Sequence, residues 1–465
     1  MPRANTNRKR SSRAAPEPRR SAVEILVDIE KNQFTLDQAL DRFYDRHENL
    51  PHRDQRLLHA LVFGVLRWQG QLDWILGQFS RTPLKKMDSP VRAILRMGLF
   101  QVRCMDRIPA SAAVNTAVNL AKKMGPPWTV KFVNAVLRKT VREHDQIPFP
   151  DPQLNPVESL AVQHAFPAWM VARWLERWGL PQTDAHCRAH NAIPPLSIRV
   201  NTLKTDLPRL KKDLAGEVAG IAPGRFLSDH LNISTPRTAL PELNSFQQGG
   251  FQVQDEAAHL VALVADPQPG QRVLDACAGL GGKTGALAQL MDNEGTILAV
   301  DRSQYKLDGL TNEMQRLGVT SVATRTLDLN SPAPLADQGP YDRVLLDAPC
   351  SGLGVIRRNP DSKWYKLPND IPYHGAGQKR LLRRLAPLVA AGGYLIYAVC
   401  STEPEENEEV VRSFLAQAGN FRIARTHARL PPAALPLVDG QGFFRTRPAL
   451  HGVDGFFAAK LQRMG

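Results

Sequence analysis

The sequence predicts a multidomain chain in which an all-α unit precedes an α/β unit built on a largely parallel sheet. Three observations predict it. Length comes first, because 465 residues exceed one ordinary domain. Apolar spacing in the first third is helical. From Gly270 onward, short apolar runs alternate with helical patterns, and several of those runs end in Asp or just before Cys.

Residues 1–20 are rich in Arg, Ser, Pro and Ala and read as a disordered basic arm. Arg3, Arg8, Lys9, Arg10, Arg13, Arg19 and Arg20 face only Glu17 there. Residues 21–145 carry helix spacing throughout. Ala22, Ile25, Leu26 and Ile29 form one stripe, and Leu57, Leu58, Leu61, Val62, Val65 and Leu66 form another. Ile94, Leu95, Leu99 and Val102 follow, then Ala113–Leu120 and Val130–Val141. Residues 146–250 read as a proline-rich connector, an aromatic helical segment over 159–178, and a small α+β piece containing the strand Leu196–Asn201. Residues 251–465 form the α/β unit. Strands are predicted at 273–275, 296–300, 319–326, 341–346 and 394–399, with helices between them.

Composition narrows the function. The net charge is +14 and not all of it lies in the arm, so folded parts are basic and suited to a polyphosphate partner. No apolar run approaches a membrane span, and the opening residues lack the apolar core of a signal peptide. A soluble, cytoplasmic, monomeric protein is expected. Five cysteines, none in a Cys-x-x-Cys pair, argue against a disulfide framework. His186, Cys187 and His190 lack a fourth ligand and read as a helix surface, so no metal is expected.

In open parallel sheets, ligands bind beyond the carboxyl ends of the strands. Asp275, Asp301, Asp347 and Cys400 all fall at such ends. The loop Cys277-Ala278-Gly279-Leu280-Gly281-Gly282-Lys283 joins a strand to a helix. It is not a phosphate loop, because Cys277 stands where that motif needs its first glycine. Nor does Gly279-x-Gly281 continue as a dinucleotide fingerprint, since Thr284 replaces the third glycine. A methyl-donor loop has looser rules, and its backbone can hold the amino-acid end of S-adenosylmethionine. Asp301, 26 positions after Asp275, suits ribose hydroxyls. Asp328 either meets the adenine or caps a turn.

The loop Asp347-Ala-Pro-Cys350-Ser-Gly352 ends in a thiol where amino-group methyltransferases carry an aromatic residue. Cys400 follows the next strand in Tyr397-Ala-Val-Cys-Ser-Thr402. A lone buried cysteine is usually packing. Two at neighbouring strand ends beside a cofactor loop point to catalysis. C5 of cytosine is a poor nucleophile, and thiolate addition at C6 makes C5 enamine-like, so covalent catalysis divides one hard step into easier ones. The thiolate needs a positive neighbour or a helix N-terminus, for which the helix expected near Pro404 and the cofactor's sulfonium are candidates.

These residues resemble the Sun family of RNA cytosine-5 methyltransferases over nearly the whole chain. The likeness lies in Asp347–Asp361 with Lys363-Trp364, in Tyr397–Asn407, in the entry segment Phe246–Ala257, and in Asp454–Leu461. It implies a Rossmann-like, class I S-adenosylmethionine-dependent catalytic domain. By this resemblance Cys400 attacks the base, Cys350 assists product release, and Asp347 reaches the base. Cofactor contacts map to Cys277–Lys283, Asp301, Asp328 and Asp347. The family usually has Ala-Pro where Gly279-Leu280 stand. The first unit is similar to the NusB-type RNA-binding helical fold, on Arg53–His59, Val62–Trp68, Arg96–Gly98, Ile108–Ala110 and Phe132–Arg138. Together the two likenesses imply a hairpin-loop cytosine of 16S ribosomal RNA as target, methylated before or during small-subunit assembly. Arg53, Arg56, Arg67, Arg96 and Arg138 are candidate RNA contacts, as are Arg199, Asn201, Arg357 and Arg358. The alternatives are the same chemistry on transfer RNA, a non-catalytic RNA-binding assembly factor, and an antitermination factor.

Overall fold

A computed structural model describes residues 17–32, 34–47, 50–331, 339–424 and 428–465. Most of the expected basic arm, including Arg3, Arg8, Lys9, Arg10 and Arg13, lies outside the described residues. The chain divides into two compact units. The first comprises residues 1–177 and Lys363–Tyr365, the second Trp178–Ser362 and Lys366–Gly465.

The first unit is helical: α1 Pro18–Asn32, α2 Leu36–Arg46, α3 His52–Phe79, α4 Ser89–Cys104, α5 Ala110–Met124, α6 Pro127–Glu143 and α7 Pro156–Gln163. Arg19 and Arg20, assigned to the arm from sequence, already stand in α1. Its apolar residues Ala22, Ile25 and Leu26 extend the stripe far enough N-terminally to hold that turn. A capping box starts α2, in which the Thr35 side chain takes the Gln38 amide and Gln38 returns the bond to the Thr35 amide. Leu58, Leu61, Val62, Val65, Ile75 and Leu76 of α3 are buried against α1, α4 and α6 in one core. Each fully buried side chain of this size contributes roughly 1.5–3 kcal/mol. Beyond residue 145, α7 packs on α3, with Gln71 donating to the Gln163 carbonyl at 2.8 Å.

The helix α8, Ala168–Asn191, turns at Gly179, where φ is 72°. A four-stranded antiparallel sheet follows, ordered β2-β3-β1-β4. Its strands are β1 Leu196–Val200, β2 Val218–Pro223, β3 His230–Pro236 and β4 Phe251–Val253, with α9 Leu207–Ala215 and the short α10 Asn244–Gln247 between them. The expected division at 250/251 cuts this sheet. β4 belongs to it through Ile198↔Val253 and Val200↔Phe251.

The large sheet contains β5 Arg272–Ala276, β6 Thr296–Asp301, β7 Val322–Thr326, β8 Tyr341–Asp347, β9 Val389–Val399, β10 Phe421–Ile423, β11 Phe443–Arg445 and β12 Phe457–Arg463. Its order is β10-β12-β9-β8-β5-β6-β7, with β11 also on β12. The five strands from β5 to β9 run parallel and the others antiparallel. The helices are α11 Glu256–Ala265, α12 Gly282–Leu290, α13 Gln304–Leu317, α15 Asp370–Leu385, α16 Glu408–Leu415 and α17 Pro448–His451, while the short α14 Ser362–Tyr365 holds the Lys363–Tyr365 of the first unit. Two apolar cores serve the sheet. One contains Leu260, Val261, Ala286 and Leu310, the other Leu346, Leu382, Tyr397 and Phe414. The chain leaves β5 for β6 and β7 on one side and returns as β8 and β9 on the other. The crevice where a ligand is expected therefore opens at the carboxyl ends of β5 and β8.

The segment joining β8 to β12 is fixed by a buried four-charge cluster. Arg357 Nε donates to Asp454 Oδ1 at 2.6 Å, Arg358 Nε bonds Asp454 Oδ2, and both guanidinium groups reach Asp255. Removing one partner of a buried pair leaves an uncompensated charge and costs about 3–5 kcal/mol. Asp454→Ala is expected to lower stability by about that amount. Glu24→Ala, which removes the exposed pair with Arg20, should cost under about 0.5 kcal/mol. Urea unfolding midpoints of the two variants check the contrast.

Candidate active site

The loop after β5 is shaped by positive φ at Cys277 (76°), Gly279 (57°) and Gly281 (84°). The Cys277 and Ala278 amides both donate to the Val300 carbonyl, which folds the loop back over β6. Asp301, at the end of β6, accepts the Gly279 amide at 3.0 Å and the Ser303 amide at 2.9 Å. A Cβ on Gly279 would meet nothing within 4 Å, so the loop faces open space there. At Gly281 a Cβ would stand 2.6 Å from Leu310, so only glycine fits.

Asp275 lies beneath this loop. Its Oδ2 accepts from the Thr284 hydroxyl at 2.7 Å, while its buried Oδ1 has no hydrogen-bond partner. Burial is the main cause that raises its carboxyl to about 6. Lys283, the next residue after the glycines, bonds Asp347 Oδ2 at 2.6 Å. Burial works against this ammonium, but Asp347, Cys400 and Asp275 hold its pKa above the ordinary lysine value.

The two cysteines meet. β8 and β9 pair in parallel with Leu346↔Tyr397 and Asp347↔Ala398, so the loops leaving both strands start side by side. Cys350 Sγ lies 3.4 Å from Cys400 Sγ. The contact with Cys400, then burial, then the charges of Cys400, Glu406 and Asp347 raise the Cys350 thiol well above its ordinary value. Cys277 is also raised, by burial and then Asp301, Asp347 and Asp275, and so is an unreactive thiol of the loop wall. The expected helix at Pro404 is a single 3₁₀ turn, and α16 carries Glu408 and Glu409 in its first turn. That helix end does not favour a thiolate.

Other expectations fare differently. Asp328 is exposed and accepts the Asn330 amide at 2.9 Å, which is the turn role weighed against adenine contact. Leu280 is 61% exposed at the loop tip. Arg53 and Arg138 are exposed, and Arg138 is held by Asn134 at 2.9 Å. Several proposed RNA contacts are corrected, because their side chains serve the interior. Arg67 is buried. Arg96 forms a bidentate pair with Asp73 at 2.7 Å. Arg199 is wholly buried and donates to Gln252, Gln254 and Gln289. Asn201 donates to the Gly249 and Leu317 carbonyls at 2.8 Å. Arg357 and Arg358 are committed to Asp255 and Asp454.

Sequence reasoning missed what Arg199 does instead. Gln252 and Gln254 pass its bracing to the Gly281 and Gly282 carbonyls of the cofactor loop. The alternation in Phe251-Gln-Val-Gln254 was the available signal, since it sends two amides to one face of β4. His186, Cys187 and His190 are buried, not on a helix surface, and the two imidazoles stack with Trp178 in series. Among the described residues, Asp229, His230 and His259 form a cluster close enough for a cation. His230 Nε2 lies 2.9 Å from His259 Nδ1. Burial and then the Arg199 charge lower both imidazoles, His230 to about 3. A neutral hydrogen-bonded pair beside a buried guanidinium fits that cluster better than a metal.

A parallel order that reverses at β5 and β8, a glycine loop after β5 and strand-end acids define a Rossmann-like methyltransferase fold. Comparison with known proteins carries the assignment further. Residues 262–462 match the family model for the 16S rRNA methyltransferase RsmB/F. Residues 16–142 match the NusB family, and residues 166–239 match the ferredoxin-like domain of RsmF/B-like methyltransferases. The chain is 36% identical over 447 residues to the probable ribosomal RNA small subunit methyltransferase B of Synechocystis sp., covering 96% of this chain and 99% of that one. It is 35% identical over 451 residues to the ribosomal RNA small subunit methyltransferase B of Pseudomonas putida, covering 96% and 98%. The crystal structure of PH0851 superposes with a TM-score of 0.79 at 26% identity, over 97% of this chain and all of that one. The chain belongs to the 16S rRNA methyltransferase family RsmB/F, with a NusB domain at its N-terminus.

The raised Asp275 carboxyl has a consequence for stability. Its folded pKa, about 6, lies above the ordinary 3.8, so the folded state binds more protons between those values. Stability therefore falls as pH rises through that window, and the loss persists above it. Asp275→Asn is expected to be more stable than wild type at pH 7.5 and to lose the slope between about pH 4 and 6. Urea midpoints across that range, without added ligand, check this.

Proposed function

We propose that the protein transfers a methyl group from S-adenosylmethionine to C5 of a cytosine in 16S ribosomal RNA, through a covalent bond between Cys400 and C6. The observation that carries this reading is the contact of Cys350 and Cys400 at adjacent strand ends beside the glycine loop. Membership of a 16S rRNA methyltransferase family supports the substrate class.

The site fits the cofactor. Asp275 Oδ1 has a spare acceptor for an ammonium donor. The first amides of α12, which have no partner four residues back, suit a carboxylate. Asp301 keeps lone pairs for ribose hydroxyls. S-adenosylmethionine supplies an electrophilic methyl on a cationic sulfur. The chain's own residues do the rest. Lys283, held on Asp347 at 2.6 Å, is an ammonium on which the Cys400 charge acts. The thiolate adds at C6 while the N3 side of the base gains a proton, a step that Asp347 supports. C5, now enamine-like, takes the methyl as the methyl–sulfur bond breaks, with a neutral thioether as leaving group. A base removes the C5 proton, the electron pair re-forms the C5–C6 double bond, the C6–S bond breaks to return the Cys400 thiolate, and N3 gives up the proton it gained. Cys350, in contact with that sulfur, assists this release. Arg53 and Arg138 stand as RNA contacts of the helical unit. A loop cytosine costs less to unstack than a paired one. The protein acts as a cytoplasmic monomer on rRNA before or during small-subunit assembly.

Purified wild type, Cys400→Ala and Cys350→Ala with protein-free 16S rRNA and labelled cofactor test the reading. Wild type should label one cytosine at C5. Cys400→Ala should lose at least about 1,000-fold in rate and form no protein–RNA adduct. Cys350→Ala should accumulate an adduct stable on a denaturing gel. Labelling of transfer RNA and not rRNA would reject the substrate. Full activity of Cys400→Ala would reject the chemistry.

A further inference from the structure

Glu406 is a fully buried acid that the mechanism above does not use. Both of its carboxylate oxygens are filled, and their donors come from the two cysteine loops. Oε1 accepts the Ser351 amide at 2.7 Å and the Gln378 side chain at 3.2 Å. Oε2 accepts the hydroxyls of Ser351 and Ser401, the latter at 2.6 Å, and those hydroxyls lie 3.2 Å apart. Ser351 follows Cys350 and Ser401 follows Cys400. One carboxylate thus grips the residue next to each thiol.

We infer that Glu406 is the positioning residue of the two-thiol centre, holding the Cys350 and Cys400 loops at contact distance through Ser351 and Ser401. This rests on the two-cysteine reading given above.

Three features argue for it. The parallel pairing of β8 with β9 ends at Asp347↔Ala398, so ladder bonds do not reach either cysteine. What fixes the sulfurs beyond that point must come from the loops. Gly354 N to Cys400 O and Ala348 N to Ala398 O, both at 2.9 Å, are two ties, and the Glu406 carboxylate is another. The carboxylate itself is anchored, because Tyr397 donates to the Glu406 carbonyl at 2.5 Å and Asn407 to the Ser401 carbonyl at 3.3 Å. Finally, an amide of the same shape could make most of these bonds without the cost of burying a charge. Burial raises the Glu406 carboxyl, the bonds from Ser351, Ser401 and Gln378 oppose that rise, and the Glu406 charge is one of the groups that raise the Cys350 thiol.

Glu406→Ala and Glu406→Gln test this in the full-length protein, with two readouts. In methyl transfer, Glu406→Ala is expected to lower kcat about 100-fold, with KM for RNA and for cofactor within about threefold. In closure of the Cys350–Cys400 disulfide by diamide, followed by peptide mass, Glu406→Ala should be at least about tenfold slower than wild type. Glu406→Gln, which keeps the shape, should restore closure. Ser401→Ala removes a single grip, and it gives an intermediate loss of kcat if Glu406→Ala does not fold. The proposal is overturned if a folded Glu406→Ala keeps wild-type kcat and closure, or if Glu406→Gln loses closure as fully as Glu406→Ala. Wild type that methylates no cytosine C5 would reject the proposed function alone, and the diamide arm would still decide the positioning role.

Discussion

The parallel hydrogen bonding of β8 to β9 is the constraint on which the rest of the catalytic unit depends. It fixes Asp347 opposite Ala398 and launches two loops from neighbouring points on one sheet edge. Each loop reaches its cysteine within three residues, too short a path for the thiols to separate far. The sulfurs end 3.4 Å apart. A register slip of one residue would turn every side chain of the moved strand to the opposite face. The buried alternation of Leu345, Ile396 and Ala398 into one core, and Leu346, Tyr397 and Val399 into the other, opposes that slip.

Around this pair the charges are arranged in opposition. Asp347 and Lys283 hold each other at 2.6 Å. A buried ion pair of this kind contributes little net stability, since the desolvation of both groups offsets their attraction. Its effect is local: the ammonium is held in place at the end of β8. Behind the glycine loop, Arg199 repeats the pattern with neutral partners. Three glutamine carboxamides satisfy a guanidinium that burial brings down to about 10. Two of them pass the bracing to the loop carbonyls. The second unit therefore spends its buried polar groups on rigidity where the ligands are expected, consistent with the need to hold reacting groups within a fraction of an ångström.

Much of this was legible in the sequence. Asp275, Asp301, Asp347 and Cys400 could be placed at strand ends because each follows an apolar run of strand length, and the sheet then puts them on one edge. The helical unit was legible from spacing in α1, α3 and α4. The polar residues of the middle piece and of the loop after β8 misled. Arg199, Asn201 and Arg357 look like surface contacts because arginine and asparagine are mostly exposed. Their partners lie 48 to 116 positions away in sequence, at separations no local pattern encodes. Glu406 was hidden for a related reason. In a run of acids, Glu-Pro-Glu-Glu-Asn-Glu-Glu, nothing local distinguishes the one that turns inward. The turn at Pro404 read as a helix because proline favours a first helical position, but here it opens only a 3₁₀ turn.

The most direct test of the account is to trap the bond it requires. In 16S rRNA transcribed with 5-fluorocytidine, fluorine at C5 cannot leave as a proton does, so addition and methyl transfer proceed and release stops. Nuclease and protease digestion followed by mass spectrometry locates the attachment. The account predicts a methylated fluorocytidine fragment on the peptide containing Cys400. Attachment at Cys350, or turnover of ordinary rRNA with no adduct from the fluorinated substrate, would contradict it.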